Sequence, residues 1–159
     1  WRAGSCLSGN PVMRKLVLLV SHLAMLVMGF GLGVYLLPIL TAPPAPEAAM
    51  LQQKAQSARY AAEFTRDLEG SDFLHWGEGT VSLSSTEIVH QGRLAPGPDY
   101  RLYLVPQFVE TEAEFEAIKP DALEIGQIKS FDGFLVPLPE GVDLDAYTTV
   151  LVWCEAFGE

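Results

Sequence analysis

The chain changes hydrophobic pattern twice along its length. Residues 16–40 run for 25 positions without Asp, Glu, Lys or Arg. As a helix this run would be about 37 Å long, enough to cross a hydrocarbon core of about 30 Å with some tilt. Residues 47–68 contain no Gly or Pro and are rich in Ala, Gln, Glu and Arg, which predicts a helical stalk. Leu51, Ala55, Ala58 and Ala62 make one weak stripe, and Tyr60, Phe64 and Leu68 make another at i, i+4 spacing, with Gly70 as a fitting stop. From His75 onward the pattern breaks into short β-type runs: residues 80–83, 87–89, 100–105, 123–128, 134–136 and 148–157. Gly97-Pro98-Asp99, Asp132-Gly133 and Pro139-Glu140-Gly141 supply turns between them. Thr111-Glu112-Ala113-Glu114 is a capping box that opens a short helix ending near Pro120. The alternating Glu110, Glu112, Glu114 and Glu116 then read as a solvated helix face rather than a metal site.

These elements predict an all-β outer domain, a β-sandwich or open barrel with one short helix, preceded by a transmembrane helix and a helical stalk. The organisation expected is a cytoplasmic N-terminus (1–15), a transmembrane signal anchor (16–40), a Pro-rich linker and stalk (41–70), and the β domain (71–159). Arg14 and Lys15 flank the apolar run on its N-terminal side and place that side in the cytoplasm, so the C-terminal region faces the periplasm or the extracellular space. The localisation expected is therefore a single-pass protein of the cell membrane. A cleaved signal peptide is the competing reading. Its apolar region is about 7–15 residues, and prolines at 43, 44 and 46 crowd the only small-residue cleavage position. The chain opens on Trp1, and Met13-Arg14-Lys15 reads as a better start. It stops five residues after Cys154, and a fragment is expected.

Charge sharpens the division. Residues 1–40 hold Arg2, Arg14 and Lys15 and no acidic group. The other seven basic and all 20 acidic residues lie in 41–159, a net charge of −13 there. That balance argues against nucleic acid, whose phosphates need Lys and Arg, and against adhesion to an anionic membrane surface.

Cys6 and Cys154 are the only cysteines. The expected topology puts them on opposite sides of the membrane, so Cys154 has no disulfide partner. In the last run, Val150, Val152, Cys154 and Ala156 share one face, and Leu151, Trp153, Glu155 and Phe157 the other. Both faces are mainly apolar, which predicts a central strand covered on both sides, with Trp153 and Tyr100 in the core. A cysteine on such a face is most simply a small buried hydrophobe. No nucleophile elbow, zinc-protease helix, P-loop or Cys-x-x-Cys pair is present. Blue copper needs two His, one Cys and usually an axial Met; His75, His90 and Cys154 are available outside the membrane run, but the sole Met there, Met50, lies in the stalk. No metal site is expected.

Three segments together resemble the DM-thirteen domain family of electron-transfer domains: Gly77-Glu78-Gly79-Thr80-Val81; Gly97-Pro98-Asp99-Tyr100-Arg101-Leu102-Tyr103-Leu104; and Ile125-Gly126-Gln127-Ile128-Lys129 with Gly133, Leu138-Pro139, Tyr147 and the ending Val150-Leu151-Val152-Trp153-Cys154-Glu155-Ala156-Phe157. The resemblance covers residues 75–159. It implies an all-β fold and a redox role for Cys154, as a bare thiol or as the ligand of a prosthetic group such as haem. No second redox module accompanies the domain in this chain, so the resemblance implies a redox partner protein in trans. Two functions remain open on the sequence: a membrane-anchored extracytoplasmic redox module acting through Cys154, or an extracytoplasmic binding or scaffolding domain in which Cys154 is purely structural. No catalytic constellation supports an enzyme of any familiar class.

Overall fold

The computed structural model describes residues 10–159, so Cys6 lies outside the described residues. The chain divides into two compact units, residues 1–36 and 37–159. The first is built on helix α1 (Pro11–Thr41), whose most apolar window has a mean hydropathy of 2.2 and no buried residue. Leu, Val and Met side chains are exposed along it, as suits a helix made for an apolar surround. It is long and apolar enough to cross a membrane; a signal sequence near an N-terminus meets the same test. His22, the one ionisable imidazole of this helix, has its Nδ1 2.7 Å from the Leu18 carbonyl.

The second unit is antiparallel β. Strands β1 (Tyr60–Phe64), β2 (Gly77–Leu83), β3 (Glu87–Leu94) and β6 (Phe134–Pro137) form one sheet in the order β1-β2-β3-β6. Strands β5 (Leu123–Ile128), β4 (Tyr100–Val105) and β7 (Thr149–Cys154) form the other in the order β5-β4-β7. The sheets do not close into a barrel. Val81, Leu83 and Ile88 from the first and Leu102, Leu104 and Cys154 from the second meet in one core cluster. The opposite face of the second sheet carries a smaller cluster: Tyr103, Val105 and Trp153 under Val109 and Phe115. Phe115 comes from helix α3 (Glu112–Ile118), opened by the expected capping box. Thr111 Oγ1 accepts from the Glu114 amide, and the Glu114 carboxylate accepts from the Thr111 amide. Trp153 and Tyr100 are core residues, 4% and 5% exposed.

The stalk differs from the expectation. Helix α2 covers only Ala48–Ala55. Its last turn tightens through the Gln56 and Ser57 amides, which reach back three residues to Gln53 and Lys54. The chain then straightens into β1, whose five residues pair with Leu83 through Gly79 of β2. A waiting sheet edge and a slot for Phe64, whose ring lies 5.3 Å from that of His90, override the helix propensity of Ala61-Ala62-Glu63. Residues 48–66 are fastened to the domain at several points. Leu51 is 4% exposed and lies against Gly133, whose positive φ of 92° and lack of a Cβ make room for it. Lys54 pairs with Glu87 at 3.0 Å, Arg59 and Tyr60 both bond Asp145, and Arg66 pairs with Glu78 at 2.7 Å while lying over the Trp76 ring.

Strand β7 also departs from the expectation of a central strand. Both its faces are covered, as the pattern implied, but it is the outer strand of its sheet and β4 is the central one. It stops at Cys154 rather than running on to Phe157, because the chain turns back there. The Phe157 and Gly158 amides donate to the Cys154 carbonyl, and Gly158 adopts φ +72°.

Candidate functional site

Strand register sets Cys154 opposite Tyr100, in the same pair of strands that aligns Val152 with Leu102 and Val150 with Leu104. The Gly97-Pro98-Asp99 turn makes this arrangement possible. A Cβ at Gly97 would stand 2.7 Å from the Tyr100 hydroxyl, so only glycine lets the turn fold over that ring. Phe131 closes the other side of Tyr100, edge-on at 6.2 Å.

The Cys154 side chain is wholly buried and belongs to the main core cluster. Burial pushes its thiol pKa up; the backbone amides of Asp99, Phe157 and Ala156 pull it down, and the Asp99 carboxylate pushes it up again, for a net rise. Arg93 and Arg101, cations that could favour a thiolate, are engaged elsewhere. Arg101 is held by Asp99 and Glu124, each at 3.0 Å, and Arg93 lies 3.4 Å from Asp132. The thiol is therefore neutral at physiological pH, unlike the electropositive, partly exposed setting of a reactive cysteine. Tyr100 is likewise raised, first by burial and further by negative charge nearby, including that of Asp72.

A cleft of about 260 Å³ opens between β1 and β7. Tyr100, Val152, Trp153 and Glu159 reach it, but Cys154 does not. The opening that a reachable redox thiol requires stops one residue short of the sulfur. A haem or similar group bound through Cys154 does not fit this geometry. The thiol points into a closed apolar core, and the nearby cleft is smaller than the roughly 300–1,000 Å³ of ordinary small-molecule pockets. No cluster of three or more His, Cys, Asp or Glu able to hold a metal occurs among the described residues.

The two histidines outside α1 stand apart in role. His90 is fully buried between Phe64 and Phe134, its Nε2 3.0 Å from the Glu78 carbonyl and its Nδ1 without a partner. His75 lies beside Asp72 at 3.3 Å and edge-on to Phe157. Sequence reasoning missed a further polar group beside Trp153. Tyr103 donates to Glu155 at 2.5 Å, and Glu155 is paired with Lys119 at 2.7 Å. The i, i+2 spacing of Trp153 and Glu155 was the only available signal, since Lys119 arrives through the fold.

The family model for the electron transfer DM13 domain matches residues 67–159. The chain belongs to the electron transfer DM13 family. No curated protein and no solved structure matches it. The match leaves out α2 and β1.

Proposed function

We propose that this protein is a membrane-anchored, extracytoplasmic electron-transfer module that works with a redox partner in trans. The family match over residues 67–159 carries this reading. Helix α1 supplies the anchor, with Arg14 and Lys15 on the cytoplasmic side and residues 41–159 outside. The strongly acidic outer region has no use for nucleic acid. Cys154 is the redox group, acting as a bare thiol. It lies one turn below the surface, beneath residues 155–158, where Phe157 is exposed. Electron exchange with a docked partner does not require the sulfur itself to reach solvent.

A second reading has a specific observation in its favour. Complete burial and a raised pKa are what a purely structural cysteine shows, and the domain would then be a binding or scaffolding module. The full chain in detergent separates the two readings. Under the redox reading Cys154→Ala remains folded, and a thiol-dependent voltammetric wave present in the native chain disappears. A native chain with no such wave, a thiol inert to small alkylating reagents and no absorbance beyond the aromatic band would leave only the structural role.

A further inference from the structure

Among the described residues, Tyr103 is the one tyrosine whose phenol is both buried and bonded to a carboxylate. The residue is 5% exposed, and its hydroxyl donates to Glu155 Oε1 at 2.5 Å. That is the short end of the range of about 2.5–2.7 Å for a hydroxyl donating to an ionised carboxylate. Tyr60 makes the comparable bond to Asp145, but at the surface.

The fold explains how the groups meet. Tyr103 lies in β4, the central strand, on the face that Phe115 and Trp153 also occupy. Glu155 follows β7 by one residue, and Lys119, the C-cap of α3, bonds its other oxygen at 2.7 Å. Lys119 Nζ also stands 5.8 Å from the centre of the Tyr103 ring. The Glu155 and Lys119 side chains are about a third exposed, at 29% and 33%. The phenol is therefore buried, while the carboxylate that accepts its hydrogen bond reaches the surface.

This arrangement suits the separate transfer of an electron and a proton. Burial first, then the bond to Glu155, raises the Tyr103 pKa, so no phenolate is present at neutral pH. Removing an electron from a phenol turns it into a strong acid, and oxidation is easiest where a base already holds the proton. Lys119 first, then Tyr103 itself, keeps Glu155 ionised and ready to be that base.

We infer that Tyr103 is a second redox-active side chain, which gives one electron to a high-potential metal centre of a partner docked over Glu155 and Lys119. The phenol O–H bond breaks, the electron reduces that metal centre, the proton passes to Glu155 Oε1, and a neutral phenoxyl radical stays beneath Phe115. An electron returned by a reduced metal centre, with the proton from Glu155, restores the phenol. The use of this site in the cell rests on the electron-transfer reading proposed above; the oxidation of Tyr103 itself does not.

The test uses the full chain in detergent, with flash-oxidised tris(bipyridine)ruthenium as the one-electron oxidant. The native chain should give a long-lived neutral tyrosyl radical, read by its narrow absorption band and its electron paramagnetic resonance signal. Tyr103→Phe should abolish that radical, and Tyr60→Phe should leave it unchanged. Glu155→Gln keeps a hydrogen-bond partner but no base, and should slow radical formation by roughly a hundredfold or more. In the native chain the rate should stay constant across the neutral range, because the proton goes to Glu155 and not to water. Tyr103→Phe keeps a ring against Phe115, and circular dichroism checks its fold; should it fail to fold, the Glu155→Gln rate and the native pH profile decide. An unchanged radical in Tyr103→Phe, an unchanged rate in Glu155→Gln, or a native rate that climbs with pH would overturn the inference. Cys154→Ala should keep the Tyr103 radical, so a missing Cys154 wave counts against the redox cysteine alone.

Discussion

Trp153→Ala tests the packing on which the site's position depends. Trp153 is 4% exposed, with Phe115 at a centroid distance of 4.7 Å and Lys119 Nζ 5.3 Å from its ring. Tyr103 of β4 meets Phe115 edge-on at 5.3 Å, so the indole is one member of an aromatic group between the sheet and α3. Removing a large buried aromatic costs about 3–5 kcal/mol, a range that already includes the lost ring contacts. The site has little room to collapse, because β7 is fixed by β4 on one side and α3 is fixed by its capping box, which argues for the upper part of that range. Against an ordinary domain stability of about 5–15 kcal/mol, the variant should lose about a quarter or more of its margin. Trp153→Phe keeps a ring against Phe115 and should cost clearly less. The assay is urea denaturation of the full chain in detergent, followed by circular dichroism rather than by fluorescence, since the substitution removes a reporter. A double-mutant cycle with Phe115→Ala should show coupling of about 0.5–1.5 kcal/mol. An unchanged midpoint for Trp153→Ala, with no coupling to Phe115, would refute the packing argument.

Two further outcomes follow from the geometry. His90 has its pKa depressed by burial, with the Glu78 carbonyl pulling partly the other way, so the folded state resists a proton that the unfolded chain accepts below about 6.5. Its contribution to stability is present above that pH and is lost as pH falls through the folded-state pKa. Unfolding free energy should therefore fall more steeply between about pH 7 and 5.5 in the native chain than in His90→Gln, and parallel profiles would contradict this. Leu51→Ala should undock α2 for about 2 kcal/mol, the low end for a buried leucine, because Leu51 is the only buried residue of that short helix. Hydrogen exchange should accelerate in α2 and leave β4 unchanged; global destabilisation would show that α2 belongs to the cooperative core.

Much of the outer domain was legible because its strands follow simple local rules. Residues 100–105 and 123–128 are the observed β4 and β5 to the residue, and the capping box at Thr111 forms as its spacing dictates. What failed did so for identifiable reasons. Tyr60 and Phe64 are four residues apart, and four is both about one helical turn and two strand repeats. The stripe that suggested a stalk helix fits a strand equally, and only the edge of β2 decides. Apolar residues on both faces of β7 correctly signalled two covered faces. Coverage says nothing about lateral neighbours, however, and the second face is covered by Phe115 and Val109 rather than by position within the sheet. The burial of Cys154 was readable from Val150 and Val152. The closing turn over it, the Tyr103–Glu155–Lys119 chain and the unpaired Nδ1 of His90 were not, because each joins residues brought together only by the fold.

The protonation state of Cys154 connects its structural role with the proposed redox role. Burial outweighs the three nearby amides and keeps the thiol neutral, so one-electron oxidation of this sulfur must also release its proton. The Asp99 carboxylate, which acts on this thiol, is itself held by Arg101 at 3.0 Å and Gln127 at 3.2 Å. A bare-thiol redox group in this setting should therefore show a midpoint potential that falls by about 59 mV per pH unit in the neutral range, the value for one electron coupled to one proton. A thiolate fixed to a prosthetic group would show little slope, because no proton leaves. A structural cysteine would show no wave to titrate. Voltammetry of the native chain across the neutral range, with Cys154→Ala as the blank, distinguishes all three. A wave with no pH dependence would refute the neutral thiol deduced from its burial.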